Sequence, residues 1–208
     1  MPRLLDGMWS TLILTGLSGI FGMALGLIVV FARISQNRLV SGAAATYITV
    51  IRGTPLLLQI LFIFFALPTL VGIRLDAWPA GVMALSCNAA AYLAEIFRAG
   101  IQSIDKGQME AARTLGMTYG LAMRRIILPQ TVKRLIPPVV NELAALAKDT
   151  SLVSVIALSE LLYVTQRLGA KYLRPWEVYV WAGTGYLLIV VALSTFAHSL
   201  ETRLARKD

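Results

Sequence analysis

Several charged and polar side chains occur inside the apolar stretches of this sequence, where they are costly to place. Glu142 and Asp149 are seven residues apart, about two helical turns, so they share one helix face. Asn88, Tyr92 and Glu95 recur at positions i, i+4 and i+7 of another apolar stretch. A charge inside a bilayer costs roughly 2.5–3.5 kcal/mol on insertion scales, so such groups usually face the protein interior or water.

These two polar stripes offer acceptors for an ammonium group and donors for a carboxylate, which a zwitterionic solute requires. The candidate solute pathway consists of Asn88, Tyr92, Glu142, Lys148, Asp149, Thr150, Ser151 and Ser154. A structural role is the alternative, because Lys148 and Asp149 can pair with each other. Likewise, Glu95 and Arg98 can pair along one helix face, and Glu142 can hydrogen-bond to a neighbouring helix.

The elements that would position these residues follow from the distribution of charge. Only 14% of the 208 residues are charged, against about 25% in soluble domains. The stretches without Asp, Glu, Lys or Arg are 7–32, 53–73, 77–94 and 178–200. Roughly 20 helical residues cross a hydrocarbon core of about 30 Å. Together with a less apolar segment between the last two, these stretches predict an all-α integral membrane protein with a single domain over 1–208. Its five transmembrane helices are expected at about 8–32, 52–71, 78–101, 135–159 and 177–201.

Lys and Arg are distributed unevenly among the segments between these predicted spans. If the N-terminus lies outside, the inside segments hold eleven of them and the outside segments five. Basic residues accumulate on the cytoplasmic side of membrane proteins, so the count predicts an N-out, C-in topology. The long hydrophilic stretch at about 102–134 is then a cytoplasmic loop. The net charge of +8 has the same explanation, and no nucleic-acid partner is predicted.

The cytoplasmic loop carries the signals of two short helices. Asp105 can cap the first, and Gly116 can adopt the left-handed conformation that ends it. Thr118 can cap a second helix at 119–128, which Pro129 is predicted to terminate. Such a pair would project from the bilayer as a rigid knob. The alternative is a simple connector between two spans.

The same loop contains the letters E-A-A, G, I, L and P at fixed spacings. The residues are Glu110, Ala111, Ala112, Gly116, Ile126, Leu128 and Pro129. This pattern resembles the EAA loop of the permease subunits of binding-protein-dependent type I ABC importers. In that family the loop docks on the ATPase subunit, so the resemblance implies that these residues couple the chain to an ATPase. Segments 52–57, 92–98 and 148–154 resemble the branch that imports polar amino acids such as histidine, glutamine, glutamate, arginine, cystine or opines.

The resemblance implies an assembly in the bacterial cytoplasmic (inner) membrane. Two ATPase subunits would lie beneath two permeases, the second permease being an identical copy or a paralogue. An extracytoplasmic solute-binding protein would deliver the amino acid, and membrane lipid would surround the bundle. The chain has no G-x-x-x-x-G-K-[ST] phosphate loop. No enzymatic activity and no cofactor are therefore predicted for it, and ATP and Mg²⁺ would be bound by the ATPase.

Two other functions are compatible with part of the pattern. An ion-coupled secondary transporter, or a channel-like protein, could use Asp149 and Glu142 as a proton or sodium site. Such a protein has no need of a docking knob, so the loop separates it from an ATP-driven importer. An assembly or insertion factor would leave the polar stripes unexplained.

Overall fold

The computed structural model describes residues 2–205. Only the backbone is described at residue 2 and at residues 197, 198, 200, 201 and 203–205. The helices are α1 (Pro2–Arg33), α2 (Arg38–Gly53), α3 (Leu56–Val71), α4 (Ala77–Gln102), α5 (Lys106–Thr114), α6 (119–149), α7 (Leu161–Tyr172) and α8 (Pro175–Ala205). A π turn lies in α3 at Phe62–Ala66 and another in α6 at Met123–Ile127, and a 3₁₀ segment, Thr150–Ile156, follows α6. The predicted all-helical fold is confirmed for the described residues.

Within the described part of the chain, three helices are long and apolar enough to cross a membrane alone. They are α1, α4 and the Pro175–Phe196 part of α8, and they coincide with the first, third and fifth predicted spans. Helices α2 and α3 pass the same test only as a pair, which is bent by 107°. The fourth predicted span, about 135–159, is not among them: its α-helix ends at Asp149 and is followed by the 3₁₀ segment, and Glu142, Lys148 and Asp149 interrupt its apolar composition.

The second predicted span, about 52–71, is interrupted near its start. Helix α2, which the apolar runs do not predict, ends where Thr54 (φ −120°, ψ 147°) and Pro55 (φ −61°, ψ 134°) are extended. Proline disfavours helical backbone in the residue before it and supplies no N–H donor. The side chain of Gln59 satisfies the carbonyls at this break, because its Nε2 donates to the Ile51 oxygen at 2.8 Å and to the Thr54 oxygen at 3.1 Å.

The prediction that Pro129 ends a short helix is wrong, because α6 continues without a break to Asp149. Just before Pro129 the helix widens into its π turn, in which the Leu128 N–H donates to the carbonyl of Met123. A proline ring clashes with the carbonyl four residues earlier, and the wider turn relieves that clash. The same arrangement precedes Pro68 in α3. The predicted loop at about 102–134 therefore contains the first turns of α6.

The core of the fold is the packing of α1 on α4, with α2 and α6 against α4 as well. Glycine makes the α1–α4 contact close, since a Cβ built on Gly22 would lie only 2.9 Å from the Cβ of Ala89. Near the end of α4, a Cβ on Gly100 would overlap the Leu135 side chain of α6. Helices α4 and α6 are therefore in direct contact near the C-terminal end of α4, where the predicted loop at about 102–134 begins.

Helix α7, which the sequence analysis does not predict, is fixed by a buried acid. Glu160 is fully buried, and its carboxylate accepts the N–H groups of Leu162 and Tyr163 at 2.8 and 2.7 Å. The Tyr186 hydroxyl of α8 donates to the same carboxylate. Because α7 also packs on α1, this acid anchors the start of a short helix between two long ones.

Candidate functional site

A pocket of about 360 Å³ lies between the α2–α3 break, α4 and α6, and we call it the carboxylate pocket. Its lining residues are Thr54, Pro55, Leu56, Asn88, Tyr92, Glu142, Ala145 and Asp149. Two of the predicted pathway residues come from α4 and two from α6. Their spacings of four and seven residues place each pair on one helix face, and the two faces meet across this pocket. The structure thus brings together Asn88, Tyr92, Glu142 and Asp149.

The other four predicted pathway residues do not line this pocket. Lys148 is exposed, since a residue adjacent to Asp149 is rotated by about 100° around the helix. The hydroxyl of Thr150 is fully buried and donates to the Ala147 carbonyl at 2.7 Å. Ser151 and Ser154 are half-buried in the 3₁₀ segment that follows α6. Thr150, Ser151 and Ser154 lie beyond Asp149 along the chain, and Lys148 directly precedes it.

A hydrogen bond connects two walls of the carboxylate pocket. The Asn88 Nδ2 group donates to Gln59 Oε1 at 3.0 Å, and Gln59 Nε2 reaches the Thr54 hydroxyl at 3.0 Å. The broken backbone and α4 are therefore held in a fixed relation. The sequence analysis did not identify Gln59, Thr54 or Pro55 as site residues. A proline inside an apolar stretch was the available signal, because irregular backbone at membrane depth occurs where it lines a cavity or is buried in protein.

The chemistry of the carboxylate pocket differs between its walls. Helix α6 contributes two half-buried carboxylates, Glu142 and Asp149. Helix α4 contributes the neutral amide of Asn88 and the hydroxyl of Tyr92. Charges interact strongly where water is scarce, so the α6 wall favours a cationic group. Among the described side chains, no group of three or more His, Cys, Asp or Glu residues that could hold a metal ion lies together.

A second pocket of about 530 Å³, which we call the arginine pocket, adjoins the first at Tyr92. Its lining residues are Arg33, Ala45, Ile48, Thr49, Arg52, Gly53, Tyr92, Glu95 and Arg98. Glu95 and Arg98 form an ion pair, with Arg98 Nη2 at 2.7 Å from Glu95 Oε2 and Arg98 Nε at 3.2 Å from Oε1. The polar stripe of α4 is therefore divided, because Asn88 faces one pocket, Glu95 the other, and Tyr92 both.

Residues 105–128 form the knob, which consists of α5 and the first turns of α6. Asp105 caps α5, as predicted. Gly116 has φ +83°, and its N–H donates to the Arg113 carbonyl at 3.0 Å, while the Met117 N–H donates to the Ala112 carbonyl at 3.1 Å. This pair of bonds is the Schellman ending of a helix, which requires a left-handed residue. The predicted role of Gly116 in ending the helix is confirmed.

The residues of the EAA pattern differ in exposure. Glu110, Ala111, Gly116, Leu128 and Pro129 are exposed, Ile126 is half-buried, and Ala112 is buried. Ala112 thus packs inside the knob, and Ala111 is the alanine that a partner can reach. The knob also exposes apolar side chains that the sequence analysis did not single out. Leu115 is 82% exposed and Tyr119 is 57% exposed.

Comparison with known proteins identifies the family. Residues 20–207 match the family described as the binding-protein-dependent transport system inner membrane component. The chain is 40% identical over 208 residues to the arginine transport system permease protein ArtQ of Bacillus subtilis, covering 100% of this chain and 95% of that protein. It is 43% identical over 206 residues to the L-cystine transport system permease protein TcyB of the same organism, covering 99% and 88%.

A solved structure agrees with both relatives. A chain in the crystal structure of an amino acid ABC transporter with histidines is 38% identical and matches with a TM-score of 0.92, over 97% of this chain and 94% of that one. The family that the EAA pattern predicts is thus confirmed. The chain belongs to the family of binding-protein-dependent transport system inner membrane components.

Proposed function

We propose that this chain is the permease subunit of an ATP-driven importer that moves polar amino acids across the bacterial cytoplasmic membrane. The observation that carries this function is the match of residues 20–207 to the binding-protein-dependent transport family, and the convergence of Asn88, Tyr92, Glu142 and Asp149 on one pocket supplies a place for the solute. ArtQ and TcyB are about equally similar to the chain and are named for different amino acids, so overall similarity does not select the substrate. Two carboxylates on one wall favour a cationic amino acid such as arginine.

The proposed topology has five spans with the N-terminus outside and the C-terminus inside, all within one domain. The bent pair of α2 and α3 supplies the second span, and the end of α6 with the 3₁₀ segment supplies the fourth. In this orientation the knob lies in the cytoplasm. Lys148, Ser151 and Ser154 lie on the outer side of the carboxylate pocket, along the entry route. Thr150 supports this end of the pathway through its bond to the Ala147 carbonyl.

The remaining parts of the importer are separate proteins in this proposal. An ATPase dimer binds ATP and Mg²⁺ and contacts the knob through Glu110, Ala111 and the exposed apolar side chains beside them. Ile126, Leu128 and Pro129 form the base of that contact, and Gly116 sets its shape. A second permease, identical or paralogous, completes the pathway. A solute-binding protein delivers the amino acid from outside, and the chain itself catalyses no reaction.

Reconstitution tests the energy source. The complex of this chain with its ATPase, reconstituted in proteoliposomes with ATP on the knob side and the binding protein on the other, is expected to accumulate L-arginine or L-glutamine. Vesicles that contain a non-hydrolysable ATP analogue serve as the control and are expected to accumulate neither. Accumulation without ATP, driven by an imposed proton or sodium gradient, would contradict the proposal and favour the ion-coupled alternative.

Cysteine labelling tests the topology, because Cys87 is the single cysteine of the chain. In a Cys87→Ala background, Arg74→Cys lies between α3 and α4 and Thr114→Cys lies in the knob, both at exposed positions. A membrane-impermeant maleimide is expected to label the first variant in intact cells and the second only after permeabilisation. Labelling of the knob in intact cells would place the ATPase contact on the wrong side and refute the proposed topology.

A further inference from the structure

The arginine pocket contains more positive charge than its own acid neutralises. Arg98 is paired with Glu95 through both carboxylate oxygens. Arg33 and Arg52 line the same pocket, and among the described side chains neither forms an ion pair. Arg33 donates to the Ser41 hydroxyl at 3.1 Å, and Arg52 lies over the Tyr92 ring. Two guanidinium charges therefore remain in a concave, largely polar site.

Arg52 occupies the boundary between the two pockets. Its Cζ atom is 5.1 Å from the centroid of the Tyr92 ring, and Tyr92 lines both pockets. The stacked pair of Arg52 and Tyr92 therefore lies where the two pockets meet.

We propose that the arginine pocket is a release site, in which Arg52 and Arg33 bind the α-carboxylate of an amino acid after it leaves the carboxylate pocket. A guanidinium matches a carboxylate geometrically, because it can donate two parallel hydrogen bonds. The volume of about 530 Å³ lies within the usual range of small-molecule sites, about 300–1,000 Å³. A zwitterion with a cationic side chain thus meets acids first and guanidiniums second. This release site rests on the proposed function, since the direction of movement depends on it.

A purely structural role for these arginines explains less of the geometry. Arginines near helix ends often anchor a protein at the membrane surface, with their charges directed toward the lipid headgroups. Here Arg52 is folded back over Tyr92 of α4, and Arg33 contacts Ser41 of α2, so both side chains stay at the pocket wall. Glu95 forms its salt bridge with Arg98, which contacts both of its oxygens, and among the described side chains it forms none with Arg33 or Arg52.

The wild-type complex provides the first test. Proteoliposomes are preloaded with L-arginine, or with L-glutamine if the uptake assay selects it, and in parallel with the corresponding α-amide, which lacks the carboxylate charge. A charge-assisted contact predicts that the preloaded acid inhibits further uptake at an internal concentration at least about tenfold lower than the amide. Equal inhibition by the acid and the amide would refute the release site without the use of any variant.

The variant Arg52→Gln assigns the effect to this pocket. It is expected to raise the half-inhibitory internal concentration of the acid about tenfold or more and to leave that of the amide nearly unchanged. Arg33→Gln is expected to act in the same direction and serves if Arg52→Gln does not fold. Arg74→Gln, an exposed arginine between α3 and α4, is the matched control and should preserve the acid–amide difference. A full acid–amide difference in either folded pocket variant would overturn the assignment.

The proposed importer function and the release site can be refuted by different results. If the wild-type complex shows no ATP-dependent uptake, the proposed function is contradicted, and with it the release site. If uptake is normal but internal acid and amide inhibit alike, the importer stands and the release site alone is refuted.

Discussion

Replacement of Asp149 by alanine is expected to reduce amino-acid uptake at least about tenfold, while ATP hydrolysis that does not require substrate persists. Asp149 lines the carboxylate pocket beside Glu142, and it is half-buried, so water screens its charge only in part. A hydrogen bond to a charged group contributes about 1.5–3 kcal/mol, and each 1.4 kcal/mol changes affinity about tenfold. The measurement compares initial uptake and basal ATPase rates in the same proteoliposomes.

Two further variants separate charge from size and from location. Asp149→Asn keeps the shape of the side chain and is expected to lose most of the uptake of a cationic amino acid. Asp76→Ala removes an exposed carboxylate just before α4 and is expected to leave uptake unchanged. If Asp149→Ala transports at the wild-type rate with full expression, the assignment of this residue to the pathway has to be withdrawn.

Replacement of Gly116 by valine is expected to uncouple ATP hydrolysis from uptake. Gly116 has φ +83°, a left-handed conformation that costs residues with a Cβ roughly 1–2 kcal/mol. A β-branched side chain would disfavour the Schellman ending, and the turn between α5 and α6 would change its shape. The knob could then no longer fit its partner. The measured quantity is the number of amino acids accumulated per ATP hydrolysed, which should fall several-fold.

Gly72→Val is the matched control for this experiment. Gly72 has φ +72°, and, as at Gly116, a Cβ there would meet no atom within 4 Å. The substitution therefore introduces the same backbone strain at the C-terminal end of α3, away from the knob. It is expected to lower expression or thermal stability slightly and to preserve the transport ratio. An unchanged ratio in Gly116→Val would count against docking through the knob.

The residues of the carboxylate pocket could be predicted from sequence to the extent that helical periodicity determines them. Spacings of four residues on α4 and seven on α6 fix which side chains share a face. The apolar composition around them indicates that these faces turn inward. Lys148 shows the limit of this reasoning, because it is adjacent to Asp149 in sequence and yet exposed on a different side of the helix.

Other parts of the fold depend on tertiary contacts that periodicity does not reveal. Helix α2 is uncharged over 39–51, which is too short to indicate a span. The start of α7 depends on the buried Glu160 and its bond from the Tyr186 hydroxyl. The continuation of α6 past Pro129 depends on a π turn, which overrides the usual helix-ending effect of proline. Charge-free stretches and the usual rules for helix ends do not predict these features.

One consequence of the uninterrupted α6 is mechanical. The part of the knob at 119–128 and the acids Glu142 and Asp149 belong to a single helix of 31 residues, about 46 Å long. Moved as a rigid body, such a helix would turn about the close contact of Leu135 with Gly100 on α4. A sideways push on the first turns of α6 would then swing the two carboxylates in the opposite direction, away from or toward the amide of Asn88. Only the short turn at Gly116 separates α5, with its exposed Glu110 and Ala111, from this helix.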